Sequence, residues 1–291
     1  MSIKKKDNSV GPWAKEKLDA LRQYLNFYTT VLKKQGHWLK GTFFVDAFAG
    51  PGLSKIRKKA KAASLFFPEE EPEQEEYLKG SPRVALEITN PFSSYLFIDS
   101  DKERVAELEA LKTEHAGTAI IDVKRGDANV EIQKWLASGI DWKHHRGVVF
   151  LDPFGTQLSW DTIEAIAKTG ALEVIINFPL GMAINRMLPK DGDVPEGWQI
   201  SLDTLFGSPD WRNIAYQDSH DLFGSKQRKA KDTSEKLLKW YRDRLKGLFG
   251  HVSTPRLIKN TRGNPLYYLI WAGPHAKGLE GANHVLGKKT K

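Results

Sequence analysis

The 291-residue sequence contains no cysteine. Disulfides, thiolate-ligated zinc, iron–sulfur clusters and any cysteine nucleophile are therefore excluded from this chain. It also lacks a run of roughly 18 or more apolar residues, and the basic N-terminus, Met1 to Asn8, is not followed by an apolar signal core. A cytoplasmic protein with no membrane association is expected. Neither G-x-G-x-x-G nor G-x-x-x-x-G-K-[ST] occurs, so the strict dinucleotide and P-loop patterns are absent. No metal is assigned, because the pair His144-His145 lies beside Arg146 without a matching carboxylate spacing.

What the chain does have is enough apolar residue, 40%, to bury a substantial core, and a net charge of +8. The charge favours an anionic partner such as nucleic acid, although solvated Lys/Arg faces produce the same balance. The expected organisation is a single domain over residues 1–291. An amphipathic helix over 13–35 carries Leu18, Leu21, Leu25, Tyr28, Val31 and Leu32 at three- and four-residue spacing. It covers a sheet edge or closes over a ligand.

The central stretch is Thr42-Phe43-Phe44-Val45-Asp46, opening into Ala47-Phe48-Ala49-Gly50-Pro51-Gly52. An apolar run that stops at a carboxylate and gives way to small residues reads as a buried strand delivering a ligand-approaching turn. Glycine lets backbone come close to a ligand there, and Asp46 can accept hydrogen bonds from an ammonium or amide. Residues 53–79 are too long for an ordinary connection and form an insertion or binding loop, with Lys58 in its basic half a candidate phosphate contact. Gly80-Ser81-Pro82 reads as a helix start with Ser81 as N-cap, which turns free N–H groups back towards the first strand.

A second strand ends at Phe97-Ile98-Asp99-Ser100-Asp101, where Asp99 is the first candidate to hold a ribose diol and Asp101 the second; helix capping is the other reading of both. A third runs into Gly126-Asp127-Ala128. The fourth, Gly147 to Leu151, ends in Asp152-Pro153-Phe154-Gly155. An Asp-Pro step keeps the chain extended and holds the carboxylate out over the sheet edge. Phe154 either stacks on a target ring or packs into the core. The fifth, Leu172 to Phe178, brings Asn177 to the same edge as a pocket or turn residue.

Residues 181–231 read as a mainly helical or irregular substrate-side insertion with a basic end that includes Lys229; Trp198 and Trp211 within it are core residues or base-stacking ones. A helix over about 233–249 follows, its buried face formed by Leu237, Leu238, Tyr241, Leu245 and Leu248. The last pattern is two strands, Val252 to Lys259 and Pro265 to Ala272, joined by a Gly-containing turn as an antiparallel pair, after which the lone His275 is surface or structural.

The Asp46-to-Gly52 stretch resembles motif I of the class I S-adenosylmethionine-dependent methyltransferases, and Asp152-Pro153-Phe154-Gly155 partly resembles motif IV of amino-methyltransferases, [DNS]-P-P-[YFW]. The expected fold is accordingly α/β and Rossmann-like, a mostly parallel sheet with a C-terminal antiparallel pair and helices on both faces. The resemblance implies S-adenosyl-L-methionine as cofactor, held by Asp46, Phe48, Gly50, Gly52, Ser81, Asp99, Asp101, Asp127 and Ala128. It implies Asp152, Pro153 and Phe154 as the catalytic step, beside which the strand-end position of Asn177 and the basic stretches around Lys58 and Lys229 make these the substrate-side candidates. Phe154 replaces the second proline of the motif and Gly155 its aromatic residue. Without cysteine, cysteine-dependent pyrimidine C5 methylation is excluded, and a nucleobase amino group or another nucleic-acid acceptor is favoured.

The series Trp13, Lys17-Leu18, Tyr24-Leu25, Asp46 to Gly52, Gly80-Ser81-Pro82, Phe97 to Asp99, Leu151 to Gly155, Asn185-Arg186 and Tyr267 to Leu269 resembles, over nearly the whole chain, the three-Cys-motif partner (TcmP) family. That likeness implies a three-cysteine radical-SAM-like protein as partner. The alternatives are a catalytically inactive methyltransferase-like binding module, or an enzyme that methylates a small molecule or protein.

Overall fold

Five apolar runs, bounded by Gly, Asp or Pro, form the parallel part of an eight-stranded sheet. The computed structural model describes residues 9–10, 13–56, 77–221 and 224–287. In chain order the elements are β1 (Ser9–Val10), α1 (Trp13–Lys33), β2 (Gly41–Asp46), β3 (Leu53–Ile56), β4 (Tyr77–Lys79), α2 (Ser81–Leu86), β5 (Ser94–Asp99), α3 (Lys102–Glu114), β6 (Ile120–Arg125), α4 (Ala128–Leu136) and β7 (His145–Leu151). Then come α5 (Trp160–Lys168), β8 (Leu172–Phe178), a 3-10 turn (Ile184–Arg186), α6 (Glu196–Phe206), α7 (Trp211–Ala215), β9 (Tyr216–Asp221), β10 (Gly224–Lys229), α8 (Thr233–Phe249), β11 (His251–Val252), β12 (Arg256–Lys259), β13 (Pro265–Gly273) and α9 (Ala276–Leu286).

The strand order is β6-β5-β2-β7-β8-β13-β11, with β12 also paired to β13. From β2 the chain first builds outward through β5 and β6, then returns to add β7 and β8 on the other side. The order therefore reverses between β2 and β7, which is where doubly wound sheets open a crevice at their carboxyl ends. β13 runs antiparallel to β8, pairing Leu269 with Asn177.

Each face carries its own core, because strands buried on both sides alternate which layer they feed. Val45, Leu96, Val149, Val174 and Ile270 pack with α4, α5 and α8, while Phe44, Phe97, Phe150, Ile175 and Trp271 pack with α1, α2 and α9. All seven residues of β8 are buried. The result is the doubly wound, Rossmann-like sheet expected from the sequence, with helices on both faces.

Several local expectations need correction. Ser81 is not an N-cap: Gly80 holds that place, and Ser81 is the first, buried residue of α2. The end of the 181–231 insertion is not helical or irregular but an antiparallel hairpin, β9–β10. Its strands are polar on both faces, so no two-residue hydrophobic alternation announces them. In α8 Phe249 is buried in place of Leu248, which is 36% exposed. The strand expected from Val252 to Lys259 is broken into β11 and β12 around Pro255, which has no N–H to add to a ladder. α9 follows β13 unannounced, with His275 at its N-cap.

Candidate functional site

The strand ends on either side of the reversal carry carboxylates. Asp46 ends β2, level with Phe97 on one side and Phe150 on the other. The loop after it is tied down by its backbone: Ala47 N–H donates to the Phe150 carbonyl at 3.1 Å and Ala49 N–H to the Ile98 carbonyl at 2.9 Å. Asp46 is fully buried, and among the described residues no hydrogen bond of good geometry reaches either carboxylate oxygen, although the Ser81 hydroxyl and the Phe48 N–H are neighbouring donors. Burial pushes its carboxyl up to about 7; the neighbouring Ser81 hydroxyl offsets part of this, the Asp152 charge adds to it, and the Phe48 backbone and Lys17 ammonium pull it back down. A buried acceptor left without a donor costs on the order of 1–3 kcal/mol. The site therefore favours a ligand that brings donors or positive charge.

The glycine loop fits close backbone approach. Gly50 has φ +60°, a left-handed conformation that side-chain-bearing residues rarely adopt. Gly80 N–H donates to the Gly52 carbonyl at 2.8 Å, and a Cβ at Gly80 would lie 2.4 Å from the Pro51 carbonyl oxygen. Phe48 is half-buried against the core beneath the loop.

Asp99 joins this loop directly. Its carboxylate accepts from Gly50 N–H at 3.0 Å and from Asp101 N–H at 2.8 Å, with the Arg104 guanidinium at 3.6 Å. Asp101 caps α3, accepting from the N–H groups of Glu103 and Arg104. Asp127 caps α4 through one oxygen, accepting from Asn129 N–H at 2.9 Å and Val130 N–H at 3.1 Å. The capping reading therefore holds for Asp101 and not for Asp99, Asp127 caps a helix without having been expected to, and both capping acids sit at the sheet edge that carries Asp46 and Asp99. Ala128, beside Asp127, is buried.

The second half of the site lies beyond β7. Asp152 is half-buried and takes two partners: Asn177 Nδ2 donates to Oδ1 at 2.6 Å, and the Lys17 ammonium forms an ion pair with Oδ2. Lys17 comes from α1, 135 residues away in sequence, and its nitrogen also lies 5.6 Å from the centre of the Tyr267 ring. Tyr267 in β13 is buried, and burial pushes its hydroxyl well above the usual range, with Asp152 and Glu16 adding to the effect. Asn177 Oδ1 is buried without a partner. Pro153 packs inward, whereas Phe154 is 69% exposed and meets the Arg104 guanidinium, 5.4 Å from its ring centre. Of the two readings of Phe154, the core one is excluded.

Lys17, Tyr267 and Arg104 are the site residues that sequence reasoning missed as functional. Lys17 sits in an ordinary amphipathic helix pattern, and nothing local marks it as reaching a strand end so far along the chain.

The substrate-side lysines fare differently. Lys58 lies outside the described residues. Lys229 is half-buried and donates to the carbonyls of Asn185 at 3.2 Å and Leu188 at 3.0 Å, and burial pushes its ammonium down. It pins β10 to the segment after β8. Around it lies an open cleft of ≈ 740 Å³ where Lys190, Arg228 and Lys231 accompany it, with Asp191 the single acid among the described lining residues. Among the described residues no acid pairs with Lys190, Arg228 or Lys231, and no cluster of His, Asp and Glu is placed to hold a metal. No helix among them is long and apolar enough to cross a membrane.

No model of a known protein family matches the chain, so its likeness to the three-Cys-motif partner family rests on the quoted residues alone. No curated protein matches it either. Among solved structures, a Legionella pneumophila protein of the DUF519 family is similar at a TM-score of 0.47 and 13% identity, over 92% of each chain. An S-adenosylmethionine-dependent methyltransferase from Clostridium acetobutylicum aligns at a TM-score of 0.32 and 10% identity, over 86% of this chain and 91% of that one. A methyltransferase of the same kind from Mesorhizobium loti scores 0.28 at 10% identity, over 63% and 81%.

Proposed function

We propose that the chain is an S-adenosylmethionine-dependent methyltransferase acting on an amino nitrogen, with a nucleobase in a nucleic acid as acceptor. The observation that carries this reading is Asp46, whose two buried oxygens receive no well-formed hydrogen bond among the described residues at the point where the sheet order reverses. The cofactor's ammonium group supplies donors. Phe48, Gly50 and Gly52 leave room for its methionine portion. Asp99 keeps lone pairs for ribose hydroxyls beyond those taken by Gly50 and Asp101. When bound, S-adenosylmethionine supplies an electrophilic methyl group.

On the acceptor side, Asp152 and the unpartnered Asn177 Oδ1 are acceptors for an N–H group. Their fixed geometry aligns the nitrogen, and Asp152 takes its proton as the new bond forms. Phe154 offers an open ring face of the kind that stacks on a base. The cleft with Lys190, Arg228 and Lys231 supports a phosphate-bearing acceptor over a neutral small molecule.

Calorimetric titration with S-adenosylmethionine and S-adenosylhomocysteine tests the cofactor half. Wild type should bind both, and Asp99→Ala should weaken binding at least about tenfold, or ~1.4 kcal/mol. A folded wild type that binds neither ligand overturns the reading. Transfer of a labelled methyl group to RNA or DNA oligonucleotides then identifies the acceptor.

A further inference from the structure

The site holds one more charged group than strand-end carboxylates account for. Lys17 projects from the first turns of α1 onto Asp152 with its side chain only 13% exposed. Asp46 pairs with Phe150, two residues before Asp152, so the two carboxylates stand at the ends of adjacent strands and act on each other, and Lys17, ion-paired to Asp152, acts on both. The remaining neighbours are accounted for. Glu16, next to Lys17, pairs with Arg256 at 2.8 Å; Tyr267 lies under the ammonium; Asn177 donates to Asp152; and the Ser81 hydroxyl neighbours Asp46. Among these described groups, Lys17 is therefore the one cation that meets Asp152.

We infer that Lys17 is a positioning residue for both halves of the site: its ammonium clamps Asp152 in the orientation that presents it to an acceptor, and its charge offsets the repulsion of Asp152 on the buried Asp46. A cation shared by two acids is worth more where water is excluded, because screening is weaker there. The N-terminal helix then does more than cover a sheet face. It completes the electrostatics of a cofactor pocket built from strands that follow it in the chain.

This inference rests on the cofactor reading above, and the test separates the two. S-adenosylmethionine is titrated into wild type, Lys17→Met, Lys17→Arg, Asp152→Asn and the Lys17→Met/Asp152→Asn double variant between pH 5.5 and 8.5. The ligand's own ammonium titration is common to all five and cancels in their ratios. Wild-type affinity should rise through the ionisation of Asp46, whose carboxyl lies at about 7. In Lys17→Met the midpoint should move up, making binding at least about twofold weaker at pH 7 and nearly unchanged at pH 8.5 relative to wild type. Asp152→Asn should move it down, Lys17→Arg should restore it, and the double variant should return it close to wild type. A merely structural Lys17 predicts weakening that is equal at every pH and is not repaired by the second substitution, and that pattern overturns the inference. So does an unshifted midpoint in Lys17→Met. If that variant does not fold, the double variant, in which both charges are gone, and Asp152→Asn carry the same comparison. No binding by folded wild type at any pH instead removes the cofactor reading itself.

Discussion

Glu173 carries a carboxyl into the core on the far face of β8, where the Tyr24 hydroxyl and Trp271 Nε1, the latter at 3.1 Å, both donate to Oε2. Burial pushes it up from 4.5 to about 7, and those two donors offset part of the rise. A carboxyl raised on folding binds its proton more tightly in the native state. Its contribution is complete below about pH 4.5 and is lost as pH rises through about 7, a change on the order of 3 kcal/mol. Urea denaturation should therefore show stability falling from pH 4.5 to 7. Glu173→Gln, which keeps one oxygen for both donors, should flatten that slope; Asp46, raised in the same direction, contributes the remainder. A Glu173→Gln protein with the wild-type slope would contradict the assignment. The two acids share a cause but not a setting: Glu173 is satisfied by Tyr24 and Trp271, whereas Asp46 receives no well-formed hydrogen bond among the described residues, so only Asp46 reads as a ligand group.

Among the elements, α9 is held by the absence of side chains. A Cβ at Gly281 would lie 2.0 Å from Phe27 of α1, and one at Gly278 would lie 2.5 Å from Glu173 Oε1. These two glycines let α9 lie directly on α1 and the sheet. They are also why the sequence gives no sign of a helix there, since glycine inside a helix is disfavoured by about 1 kcal/mol. Gly281→Ala should raise local helix propensity and still destabilise the protein by about 1–3 kcal/mol through overpacking, read as a lower urea midpoint at unchanged slope. A more stable variant would mean that α1 and α9 are not in contact. Because α1 delivers Lys17, this packing also fixes one partner of Asp152.

For the whole molecule, the excess of positive charge becomes useful only where it is unpaired and grouped. Lys190 and Lys231 stand with Arg228 in the cleft around Lys229, and the segment that Lys229 anchors at Asn185 begins beside Gly155 of the Asp152 loop, where Ala183 approaches Gly155. Binding of a single-stranded oligonucleotide, followed by fluorescence anisotropy, should weaken steeply with salt. Replacing Lys190, Arg228 and Lys231 together by Ala should reduce the slope of log K against log salt by about 2, at roughly 0.7 for each phosphate no longer neutralised. An unchanged slope would exclude this cleft as the binding surface, and no binding at low salt would exclude a nucleic-acid partner.

The sequence by itself determined the order of the five parallel strands and the carboxylates at their ends. Both are written locally, as apolar runs closed by Asp, Gly and Pro. It did not determine who meets those carboxylates. Asp46 could be read as a strand-end acid, but its complete burial without a well-formed hydrogen bond among the described residues depends on β5 and β7 flanking β2. Phe154 is open to two readings until the fold leaves it exposed beside Arg104. The hairpin β9–β10 is too polar to announce itself, and α9 too rich in glycine. The Lys17–Asp152 pair joins positions 135 residues apart and carries no local signature on either side. Hydrophobic period and turn chemistry act over a few residues, whereas burial, ion pairing and the electrostatics of a shared pocket depend on which distant segments pack together, and that only the tertiary structure decided.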